Sequence, residues 1–506
     1  MITLNWWAVA PALIPAAGLI LVLVLDALLP GRRRLPLAVG VLALLGAAAS
    51  AVPGAIGSAD TPARTLCLPA SSGTGATGGE CFWQAGPLSS TLQFGLLLAT
   101  LAALLMMHDT RGPAAPEATT SRGSETAIDV TLLLGSAAGG VAVAAAHDLG
   151  TWLVALELAT LPVIALVARR GTRRAGHGSL SLLVTSLLSF ALLVVGVALW
   201  LVATGDPTWS GAAVATAWAD PARRAVLLVA VLALLAGIGF KLSAVPFHAW
   251  TPPAFAGAPL PITALLAAAS KIAAVAALVA MLTPFVGLAA SGTHPHVLAF
   301  ALGTLAVASM LVGTVVALRA GDIVRLLAWS TIAQGGWVLL PLIGLSTAGL
   351  RACAGYVMTY AAASLLAFAA LSAVRRTASG EPGAVRELAA YRGLARSDPH
   401  VGGPLLLAMV TFAGLPPGIL GLATKVVALA SVIGAGLWPL AVVAVIAVVL
   451  GIAAYLRVVA VLLADPEPAR AGRVVLAGGG TLWVLAAGTA LLVVAGFVPQ
   501  VLYGLT

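Results

Sequence analysis

The sequence predicts an all-α membrane protein of about fourteen transmembrane helices. Two observations carry that prediction. The 506 residues are 61% hydrophobic and only 8% charged, where a soluble domain is about 25% charged. The apolar residues also run on for about 20 positions at a time, leaving room only for short loops. Within lipid every backbone polar group needs an internal partner, which leaves helices or a closed barrel. The runs are too long for barrel strands and lack their alternation, so they are helices.

Taken in order, the first span covers 8–29. It lacks the basic, apolar and small-residue layout of a cleaved signal peptide and reads as a retained helix, with Trp6 and Trp7 as interfacial anchors. Arg32, Arg33 and Arg34 separate it from the second span, 35–52. A loop rich in Gly, Ser and Thr, 53–88, then holds Cys67 and Cys81. Spans follow at 89–107, 127–146, 149–168 and 179–203. The seventh, 224–250, meets Pro246 near its end, and 261–283, 297–317, 323–343 and 350–374 come next. The twelfth, 402–435, is long enough that a break at Gly414-Leu-Pro-Pro-Gly418 is expected. Spans 437–463 and 474–497 complete the set. No boundary divides the chain, so residues 1–506 read as one membrane domain. Prolines near the ends of span seven and within span twelve suggest interrupted helices in two halves, the usual pointer to repeats of a transporter.

The arginines set the orientation. With the N-terminus outside, the inner loops carry Arg32, Arg33, Arg34, Arg111, Arg122, Arg169, Arg170, Arg173, Arg174, Arg319, Arg325, Arg375, Arg376, Arg386, Arg392, Arg396, Arg470 and Arg473. The outer segments hold only Arg64, Arg223, Arg224 and Arg351, and Arg457 lies within a span near its inner end. That asymmetry follows the positive-inside rule and places both termini outside. It also explains the net charge of +9 without a nucleic-acid partner, for which a basic face interleaved with aromatics is missing. The loop bearing Cys67 and Cys81 is then outside, in an oxidising compartment that favours a disulfide between them. Cys353, in an apolar span, reads as a small core residue.

Four charged groups fall near the middle of predicted spans: Glu157, Lys241, Lys271 and Lys425. Each ionised group at the bilayer centre costs about 2.5–3.5 kcal/mol, so they need a polar interior and partners. The chain has 26 basic residues, and these three are its only lysines. Arginine keeps its proton under almost any conditions, whereas a buried lysine can release one. A site that loads and unloads protons near neutral pH can therefore use Lys and not Arg. A carboxylate about 4 Å from a lysine interacts by about 4 kcal/mol at an effective dielectric near 20. Opening and closing such a pair switches the proton. His248, in Val245-Pro-Phe-His248-Ala-Trp250, is a candidate for proton uptake from the inner surface. The bland reading of one such lysine is a thin side chain in a crowded bundle; three together with a lone Glu argue against it.

Other chemistry is poorly represented. The seven histidines map mostly to loops or span ends, unlike a bis-His haem site. Three cysteines cannot ligate a four-cysteine iron–sulfur cluster. Gly478–Gly480 lacks the strand–turn–helix setting of a dinucleotide site. No cofactor or metal is expected in this chain.

Several stretches resemble one family. Phe240-Lys-Leu-Ser-Ala-Val-Pro-Phe-His-Ala-Trp-Thr-Pro252, Gly257-Ala-Pro and Ser270-Lys-Ile-Ala273 are similar to the antiporter-like subunits of respiratory complex I. So are Leu156-Glu-Leu-Ala-Thr-Leu-Pro162, Arg325-Leu-Leu-Ala-Trp-Ser-Thr-Ile-Ala333 and Gly414-Leu-Pro-Pro-Gly-Ile-Leu-Gly-Leu-Ala-Thr-Lys425. The resemblance implies fourteen helices, two inverted five-helix repeats (about 127–283 and 297–463), and breaks in helices seven and twelve. It implies Glu157 and Lys241 as a pair, Lys271 as the central relay and Lys425 as the terminus of the outer half. Lys425 in span twelve and the absence of a lateral helix after span fourteen fit the N-type branch of that family. FMN, iron–sulfur clusters and quinone are then expected in partner subunits of the membrane and peripheral arms, and the bacterial cytoplasmic membrane is the expected location. Gln334 stands where relatives commonly carry a histidine, and Arg325 and Trp329 replace the usual Lys and Tyr. An amide cannot take up and release protons at physiological pH, so no relay through position 334 is expected. Alternatives are a subunit of a multi-subunit cation/proton antiporter or membrane-bound hydrogenase of the same fold, a standalone transporter, and a purely structural subunit.

Overall fold

Among the described residues, thirteen helices are long and apolar enough to cross a membrane, and two shorter apolar helices, Pro399–Ala413 and Ile419–Gly434, flank the break at 414–418. The computed structural model describes residues 4–32, 34–58, 62–67, 81–109, 119–376, 385–466, 473–475 and 477–498. Arg33, Arg111 and Arg470 of the inner arginine set lie outside these.

The chain begins with α1 (Trp6–Leu28) and α2 (Arg34–Ala55), then the strands β1 (Ala63–Cys67) and β2 (Cys81–Ala85). α3 (Pro87–Asp109), α4 (Thr119–Ala145), α5 (Leu149–Ala168) and α6 (Arg173–Thr204) follow, with a short α7 (Gly211–Ala219) before α8 (Pro221–Leu242). Next come α9 (Thr251–Gly257), α10 (Leu260–Ala267), α11 (Ala269–Ala290), α12 (His296–Arg319), α13 (Ile323–Leu339) and α14 (Thr347–Ala373). β3 (Val374–Arg376), α15 (Leu394–Ser397), α16 (Pro399–Ala413), α17 (Ile419–Gly434), α18 (Trp438–Leu463), β4 (Arg473–Val475) and α19 (Gly479–Phe497) complete the order. Asp148, Asp220 and Asp322 start α5, α8 and α13, each accepting a first-turn backbone N–H that has no intrahelical partner.

Three expectations change. The segment 53–88 is not a plain loop: β1 and β2 form an antiparallel hairpin in which Cys67 and Cys81 lie directly opposite, joined by a disulfide. The hairpin is pinned to the bundle by the Trp83 indole donating to Ala8 O at 2.8 Å and by His147 N donating to Phe82 O at 2.9 Å. Span seven does not reach 250. α8 stops at Leu242 because Ser243 turns left-handed (φ 62°), and helix resumes only at Thr251. The last span likewise starts later than 474, since β3 and β4 pair there and α19 opens at Gly479.

Small residues bring the helices close enough to bury polar groups between them. A Cβ on Gly139 of α4 would collide with Ala159 N of α5, and one on Gly421 would collide with Thr411 O. The second contact sets the start of α17 against the end of α16 across the break at 414–418. Gly414 itself needs a left-handed backbone (φ 75°), which glycine adopts without steric cost.

Candidate functional site

The three lysines sit beside helix breaks, rather than at mid-helix as the sequence suggested. Lys241 is the penultimate residue of α8, Lys271 the third of α11, just after the kink at Ala268, and Lys425 lies in the second turn of α17. A helix that stops inside the bilayer leaves its last carbonyls without intrahelical donors. It also points the negative end of its dipole at the break. Lysine ammoniums answer both demands here. Lys271 Nζ donates to Lys241 O at 2.8 Å, and Lys425 Nζ donates to Phe412 O at 2.5 Å and Ala413 O at 2.9 Å.

At the first break, Lys241 Nζ lies 3.0 Å from Glu157 Oε1 and donates to Thr160 Oγ1 at 2.8 Å. α5 presents Glu157 and Thr160 one turn apart on the same face, and Thr160 in turn donates to Leu156 O. Lys271 Nζ donates to Ser243 Oγ at 2.5 Å, which also accepts from Thr251 Oγ1 at 2.6 Å. The Trp250 ring lies 4.9 Å from Lys271 Nζ, and its indole N–H donates to Phe240 O at 2.7 Å. Glu157, Lys241 and Lys271 therefore form one connected polar cluster. Beside it a cavity of about 50 Å³ is lined by Lys241 and the hydroxyls of Ser136, Thr185, Ser186 and Ser270. Among the described residues the buried Ser186 Oγ has no partner, and a cavity of this size with several hydroxyls on its wall accommodates water.

At the second break, the Trp337 ring lies 5.6 Å from Lys425 Nζ. Unlike Lys241, Lys425 meets no carboxylate among the described residues; backbone carbonyls alone hold it. Lys425 is not joined to Lys271 by a direct hydrogen bond. Among the described residues no hydrogen bond joins His248 to any of the three lysines; it is half-buried, with its ring 5.4 Å from Trp329.

Two components escaped sequence reasoning. One is the set of helix-end carbonyls, whose signal was the helix-breaking segments 243–246 and 414–418. The other is a tyrosine cluster. Only five tyrosines occur in the chain, and Tyr356, Tyr360 and Tyr455 are buried together around α13. Tyr356 O–H donates to Gln334 Oε1 at 2.6 Å, Gln334 Nε2 donates to the Tyr455 hydroxyl at 3.0 Å, and Tyr360 O–H donates to Thr331 Oγ1 at 2.9 Å. The rarity of tyrosine within spans was the available clue, as the rarity of lysine was.

Comparison with known proteins supplies the remaining observation. A family model described as NADH:quinone oxidoreductase/Mrp antiporter, TM, matches residues 146–451, a stretch holding Glu157 and all three lysines. NADH-quinone oxidoreductase subunit N 2 of Streptomyces griseus is 35% identical over 452 residues, covering 87% of this chain and 79% of that protein. Subunit N of Salinispora tropica is 35% identical over 453 residues, covering 87% and 81%. Among solved structures, a chain of respiratory complex I from Thermus thermophilus aligns with a TM-score of 0.77 at 26% identity, covering 98% of each chain. A chain of the Mrp complex from Dietzia aligns at 0.81 and 21% identity, covering 98% of this chain and 96% of that one. The last establishes shared fold only.

Proposed function

The chain belongs to the NADH:quinone oxidoreductase/Mrp antiporter membrane family, and on that premise we propose that its protons move through Glu157, Lys241, Lys271 and Lys425. It is a proton-translocating membrane-arm subunit of an NADH:quinone oxidoreductase, and works as one component of that enzyme complex. The N-subunit relatives, at 35% identity over most of the chain, favour this over a cation/proton antiporter built on the same fold.

One observation carries the relay reading. Every lysine of the chain lies within two turns of a helix break or kink, and among the described residues only Lys241 has a carboxylate partner. Closing the Glu157–Lys241 pair holds the proton on Lys241. Opening it lets the proton pass through the Ser243–Thr251 hydroxyls and adjoining water toward Lys271. Lys425 is the second-half site, from which the proton leaves. His248 delivers protons from the inner surface to the first break. In this reading both termini face outward across the bacterial cytoplasmic membrane. The flavin, iron–sulfur and quinone chemistry belongs to partner subunits of the two arms, and this chain supplies the proton path.

The test is NADH-driven acidification of inside-out vesicles, normalised to assembled complex, for Lys271→Ala and Lys271→Arg. The relay requires both to assemble and both to pump poorly. Full pumping by Lys271→Arg would leave only a fixed positive charge at that position.

A further inference from the structure

We infer that Gln334 is a positioning residue for Lys425, acting through the main-chain carbonyl of Phe412 that both side chains share. The inference rests on the reading of Lys425 as a proton carrier.

Gln334 is 3% exposed and every polar atom of its amide is used. Its Oε1 accepts from Tyr356, and its Nε2 donates to Tyr455 and, at 3.4 Å, to Phe412 O. Because the Phe412 carbonyl can only accept, the amide is held in one orientation with its N–H groups toward Phe412 and Tyr455 and its oxygen toward Tyr356. Tyr455 shares a further hydrogen bond with Ser330 at 2.7 Å, and Tyr356 stacks on Trp337, the ring facing Lys425. Phe412 O also accepts from Lys425 Nζ at 2.5 Å. Two donors thus compete for one carbonyl. The Gln334 amide weakens that oxygen as an acceptor for the ammonium and so eases proton loss from Lys425. The next residue, Gly335, lies against the other break: a Cβ there would stand 3.0 Å from Leu242 O. α13 therefore touches both breaks with consecutive residues.

The titratable and charged groups on the elements packed around Lys425 are few. α14 brings Arg351, Cys353, Tyr356 and Tyr360, α16 brings His400, α18 brings Tyr455 and Arg457, α13 brings Arg325, and α19 brings none. Arg457 is committed to Leu318 O and Ala320 O. None of these helices carries a carboxylate, so a charge placed at 334 would dominate the field at Lys425. Sharing one carbonyl keeps the two side-chain nitrogens within about 6 Å, inside the range over which a neighbouring charge alters proton affinity.

The experiment is the pH profile of NADH-driven proton translocation, per assembled complex, for Gln334→Glu and Gln334→Lys, with Lys425→Ala as control. The positioning role requires opposite displacements. Glu moves the alkaline limb up by about one pH unit and Lys moves it down by a similar amount, which a merely structural defect would not do. Unmoved profiles in assembled complexes overturn the inference. Full pumping by Lys425→Ala instead removes the proton-carrier reading on which it rests. If one charged variant fails to assemble, the other decides. If both fail, Tyr356→Phe decides: release of the amide must displace the alkaline limb, and an unmoved limb overturns the inference.

Discussion

Lys271 reaches back to the main-chain carbonyl of Lys241 at 2.8 Å, while the side chain of Lys241 turns away to Glu157 at 3.0 Å. The two cations thus meet through the backbone of one and the ammonium of the other. The end of α8 lies between the two side chains, with the Lys241 carbonyl facing Lys271. A shift in the break would move both partners at once.

Replacing Lys241 with Arg separates charge from proton transfer. Arginine preserves the ion pair with Glu157 but keeps its proton where a buried lysine would release one. We expect near-normal assembly, at least a tenfold loss of NADH-driven proton translocation in inside-out vesicles, and a defective Lys241→Ala. Wild-type pumping by the arginine variant would leave Lys241 a counter-ion only.

Glu157→Gln keeps shape and a hydrogen bond to Lys241 but removes the charge. An interaction of about 4 kcal/mol at an effective dielectric near 20 is lost from the state that holds the proton. Pumping per complex should fall about tenfold or more with the complex still assembled. Disappearance of the complex from native gels would mean that the pair mainly holds α5 against α8.

Ser243→Gly tests the hydroxyl that Lys271 and Thr251 share. Glycine accepts the left-handed backbone better than serine, a gain of about 1 kcal/mol, so the fold should survive. The lost hydrogen bond to an ammonium is worth about 1.5–3 kcal/mol. Proton translocation should drop several-fold while the thermal midpoint of the complex changes little. Unchanged pumping would exclude the hydroxyl from the route.

Non-reducing mass spectrometry should show Cys67 and Cys81 peptides linked, and after reduction an impermeant thiol reagent should reach them from the outer side. Closing this short loop is worth about 3 kcal/mol of unfolded-state entropy, so Cys67→Ser should lower the melting temperature of the hairpin region. Labelling from the inner side would invert the topology.

His147 lies between α4 and α5, where burial lowers its pKa more than Asp206 raises it. The folded protein therefore binds this proton less readily than the unfolded chain. The penalty is absent above the ordinary histidine value near 6.5 and grows as pH falls below it. His147→Gln should flatten the acid-side decline of the thermal midpoint between about pH 6.5 and 5. An equally steep decline would remove His147 as its source.

Composition and charge placement alone determine a good deal of this molecule. Polar groups are so costly in lipid that a 20-residue apolar run must be a helix, and so costly when ionised that Glu157 and the three lysines stand out against the arginine-only loops. The break at 414–418 was legible for the same kind of local reason, since Pro416 and Pro417 cannot continue a helix. The pairing of Glu157 with Lys241 joins residues 84 apart, and its geometry depends on how α6 and α11, which pack against both α5 and α8, set the spacing between them. Pro246 announced that α8 must end near this point, but tertiary structure alone decided the turn at Ser243, whose hydroxyl is held by Thr251 and Lys271. It alone decided the site of Lys425, which takes its acceptors from backbone carbonyls, the one group every residue carries and no side-chain pattern announces.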